Sequence, residues 1–554
     1  MEILRSVLRE LPEFQQLLAA LDSGQSPAAV SGLAAVHRAH FAACLGQESG
    51  RPVVVVCADE GEAERMARDL SFLTGGEVPV LAARSFLFHN IATVSRQWEH
   101  RRLRLLYRLT RGEVPCLVAT VEALLQRTLP PEALERACAA LAVGQTADLE
   151  ELTAHLTEAG YVRCEQVEGP GQFALRGGIL DVYSPAMEAP VRAEFFGDEV
   201  DALGIFDPVT QRRTANVEQA VLLPAAETLP HLAPGGLAGL LKQLDQRSAA
   251  AVRDGLEELA ATLRQDWEAL EEGRSFPAAD RYLPLIYPEL ATAADYLPYD
   301  ACVLFSESSR VGERAKTWQW QLEEDVKTLL ERGELDGACG ALSRSYDQLC
   351  RRLEDFPFAY LDSFALSAYP AAPRCVLSLM AKQLPSFGAS LETAVQDLSH
   401  YQSAGFSVLV LVSSEQRALN LQTLLREQKV KAGVDFALKA LPRPGQILLT
   451  VGGLSGGMEY PGLKLAVITE GQSGGVRKRP RPVKKEATNR QKLKSYADLS
   501  PGDLVVHEHH GVGRYVGMVK MPADGIEKDY VKIAYAGTDV LYVPATQLDL
   551  VSKY

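Results

Sequence analysis

The run Pro52-Val-Val-Val-Val-Cys-Ala-Asp-Glu60 decides how the body of this 554-residue chain folds. Four valines lead into a short polar turn, after which Ala63, Met66 and Leu70 recur at helical spacing. A strand apolar on both faces, followed at once by an amphipathic helix, belongs to a parallel sheet covered on both sides. The theme returns as Phe406-Ser-Val-Leu-Val-Leu-Val-Ser-Ser-Glu415, with Ala418, Leu421 and Leu425 behind it. The two blocks superpose at a fixed offset of 355, Glu60 on Glu415 and Ala63 on Ala418. Cys116–Thr120, Ala301–Phe305, Gln446–Val451 and Leu463–Glu470 read as further buried strands. Two α/β units are expected, one N-terminal and one near Arg374–Gly475.

Between them, Ala147–Leu223 has another texture. A helix at Leu149–Glu158 precedes Gln172–Tyr183 and Pro190–Asp201, which alternate around Gly177-Gly178 and Gly197-Asp198. Hairpins of this kind predict an inserted α+β domain. Gly235–Glu272 and Lys316–Asp355 read as long packing helices, the second with Trp318, Leu322, Val326, Leu329 and Leu330 at apolar spacing. The end of the chain changes again: Leu504–His507, Gly513–Met521, Asp529–Tyr535 and Val540–Val543 are short strands broken by turn signals, which predicts a small β-barrel.

Composition narrows the class. The N-terminus lacks the basic and apolar regions of a secretory signal, and no apolar run is long enough to span a bilayer. The reading is a cytoplasmic protein with no membrane partner. Nine cysteines stand singly, none in a Cys-x-x-Cys pair, which fits reduced thiols rather than disulfides or zinc. The net charge of −14 hides nine Lys/Arg against Glu486 between Val476 and Lys494, leaving −22 elsewhere. So acidic a body is a poor general DNA binder. The basic stretch, with Pro480 and Pro482, reads as a solvated linker.

Two segments carry specific resemblances. Gly171-Gln-Phe-Ala-Leu-Arg-Gly-Gly-Ile-Leu-Asp-Val-Tyr183, Val191-Arg-Ala-Glu-Phe-Phe-Gly-Asp-Glu-Val-Asp201 and Phe206-Asp-Pro-Val-Thr-Gln211 resemble the UvrA-binding domain of the excision-repair protein UvrB. Leu499-Ser-Pro-Gly-Asp-Leu-Val-Val-His-Glu-His-His-Gly-Val-Gly-Arg-Tyr-Val-Gly517 and Leu541–Tyr554 resemble the polymerase-binding module of CarD-type proteins and of the bacterial transcription-repair coupling factors. Both together, over the whole length, resemble the N-terminal portion of the coupling-factor family (Mfd).

That resemblance implies a multidomain α/β fold: degenerate P-loop or helicase-like parallel-sheet domains, an inserted α+β domain and a C-terminal Tudor-like barrel. The implied domains are 1–146, UvrB-like 1A; 147–225, UvrA-binding; 226–370, helical 1B and return to 1A; 371–475, a degenerate α/β domain; 476–495, linker; and 496–554, the barrel. It implies an adaptor between stalled RNA polymerase, through its β subunit, and UvrA. The family's ATP-driven motor, its Mg²⁺ and most DNA contacts are expected beyond residue 554. Rival readings are a UvrB-like ATP-dependent repair helicase and a free-standing CarD-type regulator.

Arg176, Arg192, Glu194 and Phe196 are expected to bind UvrA: alternation puts Arg192, Glu194 and Phe196 on one strand face and Phe195 on the other. Arg514, Tyr515, Met518 and Met521 are expected to meet polymerase along an open strand edge. The stretch matching a UvrB nucleotide loop keeps Gly32, but Ala34-Ala35-Val36 replaces Gly-Lys-Thr. Ser306, before Glu307, replaces the metal-binding aspartate. Without the lysine counter-charge and the hydroxyl for Mg²⁺, this site is expected to be inactive. The chain as given is expected to hold no cofactor and no catalytic residue. Gly452-Gly453 and Gly456-Gly457 read as a tight turn rather than a phosphate cradle. His507-Glu508-His509-His510 lacks the spacing of a zinc motif, and no metal is expected.

Overall fold

The computed structural model describes residues 2–88, 96–274, 276–387, 391–438, 440–470, 491–492, 502–507, 511–523, 526–535, 540–544 and 551–553. They form two compact units, Met1–Ser473 and Gly474–Tyr554.

Val53–Cys57 lies near the middle of a seven-stranded sheet. From one edge the order is Cys375–Ser378, Ala28–Ser31, Phe358–Leu361, Cys302–Ser306, Val53–Cys57, Cys116–Thr120 and Val80–Leu81. Every pairing is parallel. The strands Val53–Cys57, Cys116–Thr120 and Cys302–Ser306 are buried at all positions, which is why they read as continuous apolar runs. The helix Glu60–Thr74 opens on Asp59, whose carboxylate accepts the Glu62 amide. At the same offset of 355, Ser414 caps Glu415–Glu427. The repeat thus extends to the capping residue.

The second sheet runs Lys382–Leu384, Gly457–Tyr460, Leu465–Thr469, Ser407–Val412, Ile447–Val451 and Ala432–Val434. Its first two pairings are antiparallel and the rest parallel. The boundary expected at 370/371 moves: Cys375–Ser378 pairs with Ala28–Ser31 and completes the first sheet. Two features fasten this domain to the first. The Asp69 carboxylate accepts from the Ser455 amide at 2.8 Å and from its hydroxyl. Tyr460 is buried against His37 and His40.

The inserted domain is an antiparallel meander, Gln172–Arg176, Ile179–Tyr183, Val191–Phe196, Glu199–Phe206 and Arg213–Asn216, with Val162–Arg163 parallel at one edge. Its core is Phe173, Leu180, Val182, Val191, Ala193 and Leu203 beneath the helix Leu149–Glu158. The start expected at 147 is too late. Ala139–Ala142 pairs antiparallel with Gln219–Leu222, zipping the two ends of the insertion together.

Gly236–Arg253 and Glu257–Glu271 form a helix pair. The second long helix is shorter than expected: Ser308–Glu331 stops, and Tyr346–Leu353 starts anew on a Ser345/Gln348 capping box. No helix among the described residues is long and apolar enough to cross a membrane. All nine cysteines are free thiols, six of them buried.

In the second unit, six strands run Gln491–Lys492, Val551–Lys553, Leu504–His507, Gly511–Ala523, Ile526–Ala534 and Val540–Pro544, all antiparallel. Among the described residues the two outer strands do not pair with each other, so barrel closure is not seen. Lys492, expected in a linker ending at 495, belongs to the sheet. The rest of the linker, with Arg477, Lys478 and Arg479, lies outside the described residues.

Candidate functional site

The outward face of the inserted sheet is built by strand alternation. Val191, Ala193 and Phe195 turn to the core; Arg192, Glu194 and Phe196 turn away from it. Arg192 sits directly across from Asp181, and Glu194 from Ile179. Arg192 donates to both Asp181 oxygens, from Nε at 2.6 Å and from Nη2 at 2.8 Å. Its guanidinium also lies 4.7 Å from the centroid of the buried Phe206 ring. Arg176 reaches the same carboxylate at 3.2 Å. One buried acid therefore fixes two arginines. Phe196 stands 84% exposed at the hairpin end, and Ile179 is 39% exposed beside it.

The face brings together Arg176, Arg192, Glu194 and Phe196, with two differences from expectation. Arg192 is half-buried rather than free, because Asp181 and Phe206 hold it. Glu194 is not a free acid but pairs with Arg213 at 3.2 Å. Asp181, which sequence reasoning missed, organises the face. Its signal was an acid at an outward position of Ile179–Tyr183, between two apolar inward ones.

The stretch expected to match a UvrB nucleotide loop is filled by protein. Only Gly32, Leu33 and Ala34 separate the strand Ala28–Ser31 from the helix Ala35–Ser49, too few to wrap a phosphate. Gly32 adopts φ +89 against the Leu379 backbone, whose oxygen lies 2.0 Å from where a Cβ would stand. Arg38, one helical turn on, is buried. It donates to Ser306 Oγ at 2.9 Å and the Leu33 carbonyl at 2.8 Å, and it pairs with Glu307. Ser306 in turn donates to Glu62 at 2.7 Å, and Glu62 lies 3.7 Å from Arg38. Glu307 has a left-handed backbone, φ +60. Ala34 and the exposed Ala35 form the helix start, and Val36 packs into the core. Arg38 and Glu62 were also missed: a helix-internal arginine gives no sequence sign that it is buried.

The glycine turn at 452–457 has three of its amides committed to the protein. Gly452 donates to Val412, Leu454 to Thr469 and Ser455 to Asp69. Phe72 packs where a Gly452 side chain would be. These bonds make it a packed turn, as expected.

In the second unit, Arg514 is exposed and donates to Gly502 at 3.2 Å. Tyr515 is 5% exposed and sits opposite the buried Ile533, so it serves the interior and not the surface expected of it. A bulge between Tyr515 and Gly517 breaks the alternation on which the four-residue face rested. The side chains of Met518 and Met521 lie outside the described residues. Arg514 is paired on both sides, Gly511–Gly513 on one side only among the described residues, and Tyr515 also bonds to Gly502 and Asp503. Val516–Ala523 is paired on one side only among the described residues. Of His507–His510, only His507 is described, and no group of metal-ligating side chains occurs among the described residues.

Comparison with known proteins agrees with this layout. Residues 139–227 match the UvrB interaction domain, and residues 499–554 the CarD-like/TRCF RID domain. The first range coincides with the insertion zipped by Ala139–Ala142 and Gln219–Leu222. A transcription-repair-coupling factor of Bacillus subtilis is 31% identical over 100% of this chain and 47% of its own length. Those of Staphylococcus haemolyticus and Staphylococcus aureus (strain MRSA252) are 28% and 27% identical, over 95% and 100% of the chain. The chain spans about half the length of these relatives. Both domain matches and an alignment running end to end make the chain similar to about half of a transcription-repair-coupling factor.

Proposed function

We propose that this chain is an adaptor in transcription-coupled nucleotide-excision repair. The inserted domain takes UvrA on the Arg176, Arg192, Glu194 and Phe196 face, and the C-terminal unit docks on the β subunit of RNA polymerase. The observation that carries the reading is the exposed Phe196 on the same sheet face as arginines held ready by Asp181. An aromatic and an arginine fixed before contact lose little side-chain freedom on binding, and such residues dominate interface energies. For the polymerase, the unit supplies Arg514 and the half-paired strand Val516–Ala523, which fits strand addition.

The described residues take no part in nucleotide chemistry in this reading. Arg38 fills the place where a phosphate loop would work, with its charge already met by Glu307 and Glu62. ATP-driven translocation of DNA, with its Mg²⁺, is assigned to other parts of the longer family members. A UvrB-like helicase role is disfavoured by the same network.

Isothermal titration of the chain against UvrA tests the adaptor reading. Arg192→Glu is expected to cost about 2–5 kcal/mol of binding. Unchanged affinity in a folded Arg192→Glu, Phe196→Ala variant would remove UvrA from this face. Retention of polymerase by the whole chain but not by Gly474–Tyr554 would move that contact out of the second unit.

A further inference from the structure

At the far edge of the second sheet, the helix Glu415–Glu427 ends in a turn closed by Lys429 N–H to Arg426 O at 3.0 Å and Val430 N–H to Leu425 O at 2.8 Å. Lys429 has φ +63, a position where helix ends normally carry glycine. The chain then enters the strand Ala432–Val434, which pairs only with Ile447–Val451 among the described residues. A cleft of about 550 Å³ opens here, lined by Arg426, Lys429, Val430, Lys431, Gly433 and Gln446 among others. No carboxylate lines it, and none of the three cations has an ion pair among the described residues. On a chain of net charge −14, a cleft of cations alone is a local inversion.

The backbone supplies the second half of a binding site. Asp435 donates inward to Leu449, so alternation turns Ala432 and Val434 towards the open edge. The Gln422 side chain covers the Ala432 carbonyl at 2.9 Å, a small self-made cap on an otherwise free edge. An extended peptide could use the backbone row of Ala432–Val434 and place its own side chains near the three cations.

We propose that this edge takes up an acidic extended peptide segment of a protein partner as an added strand, its carboxylates meeting Arg426, Lys429 and Lys431. A nucleic-acid backbone would satisfy the charges but has no groups to continue a β-ladder, so the open edge favours the peptide. Lys429 holds a backbone conformation that costs the free chain stability, and its charge at the mouth of the cleft is what that conformation places there.

Fluorescence anisotropy of the full chain with a labelled peptide of alternating Glu and Val tests this. Saturable binding is expected, weakened at least about tenfold by Arg426→Glu with Lys431→Glu. Lys429→Gly is expected to weaken binding while raising Tm, which separates the site from the fold. A peptide N-methylated on alternate residues is expected not to bind. Equal binding of the N-methylated peptide, indifference to the charge reversals, or no binding of the acidic peptide would each overturn the proposal. So would a single-stranded oligonucleotide that binds through the same three cations while the acidic peptide does not.

Discussion

Asp181 and Arg192 face each other across neighbouring strands and share two hydrogen bonds, 2.6 and 2.8 Å long. The acid is 1% exposed at its side chain and the arginine 21%, so the interior holds the anchor and the surface receives the tip. Asp181→Ala is expected to destabilise the inserted domain by about 2 kcal/mol, the cost of losing hydrogen bonds to a charged group. With UvrA as the proposed partner, it should also weaken that binding nearly as much as Arg192→Ala does. A double-mutant cycle in calorimetry checks the coupling. Additive losses would mean that Asp181 does not position the arginine for its partner.

Arg38 is the buried counter-charge of Glu307 and Glu62, the latter also lying 3.5 Å from the more exposed Arg310. Arg38→Ala leaves Glu62 and Glu307 facing each other around Ser306 and is expected to cost about 3–5 kcal/mol in urea unfolding. Adding Glu62→Gln and Glu307→Gln to Arg38→Met should recover most of that loss, because no buried charge then stands alone. A labelled ATP analogue with Mg²⁺ is expected to show no saturable binding to the wild-type chain.

Gly32 is kept for steric reasons. Gly32→Ala is expected to cost about 2–4 kcal/mol, since its Cβ would lie 2.0 Å from the Leu379 oxygen and φ is +89. Gly24→Ala, at φ +70 with nothing within 4 Å, should cost only about 1 kcal/mol. Thermal unfolding of the two variants makes the comparison. Equal costs would show that the Leu379 contact relaxes away.

Acid should loosen the joint between the first and second sheets. Burial pushes His37 and His40 down to about 4, with the His37–His40 repulsion a further cause at His37. His40 donates from Nε2 to the Leu4 carbonyl at 2.7 Å and accepts the Tyr460 hydroxyl at Nδ1, 2.9 Å away, an arrangement of the neutral ring. Their folded values lie below the unfolded one, so their stabilisation is full above about pH 6.5. It is lost as pH falls towards 4, by about 3 kcal/mol per histidine. Asp69 works the other way. Burial raises it to about 6, so protonation below pH 6 returns up to about 3 kcal/mol. Two histidines outweigh one aspartate, and net stability is expected to fall from pH 6.5 to 4. Asp69→Asn should steepen that fall and His40→Gln flatten it in Tm measured against pH. Parallel profiles for all three proteins would show that this joint does not set the acid response.

Strand identity was legible wherever both faces of a strand are buried, because burial on two sides demands an unbroken apolar run such as Val53–Cys57 or Ser407–Val412. Period two was equally plain in Val191–Phe196, and it separated Phe195 from Phe196 correctly. Alternation failed in Gly511–Ala523, where a bulge inserts one residue beside Gly517, whose place inside a strand run was the one local signal. Domain ends were misplaced for a related reason. Ala139–Ala142 and Cys375–Ser378 each take their partner from a distant part of the chain, and pairing across such distances leaves no mark in the local pattern.

The amino-acid order alone determined the buried parallel strands, the alternation of the inserted sheet, and the absence of lysine and hydroxyl at Ala35 and Val36, since each depends on side chains a few positions apart. Tertiary structure decided what stands in their place. Arg38 meets Ser306 and Glu307 from 268 and 269 residues away, and Ser455 meets Asp69 across 386. A charge becomes an anchor rather than a surface group only when folding removes its water and supplies a partner, and that partner is chosen by the sheet order.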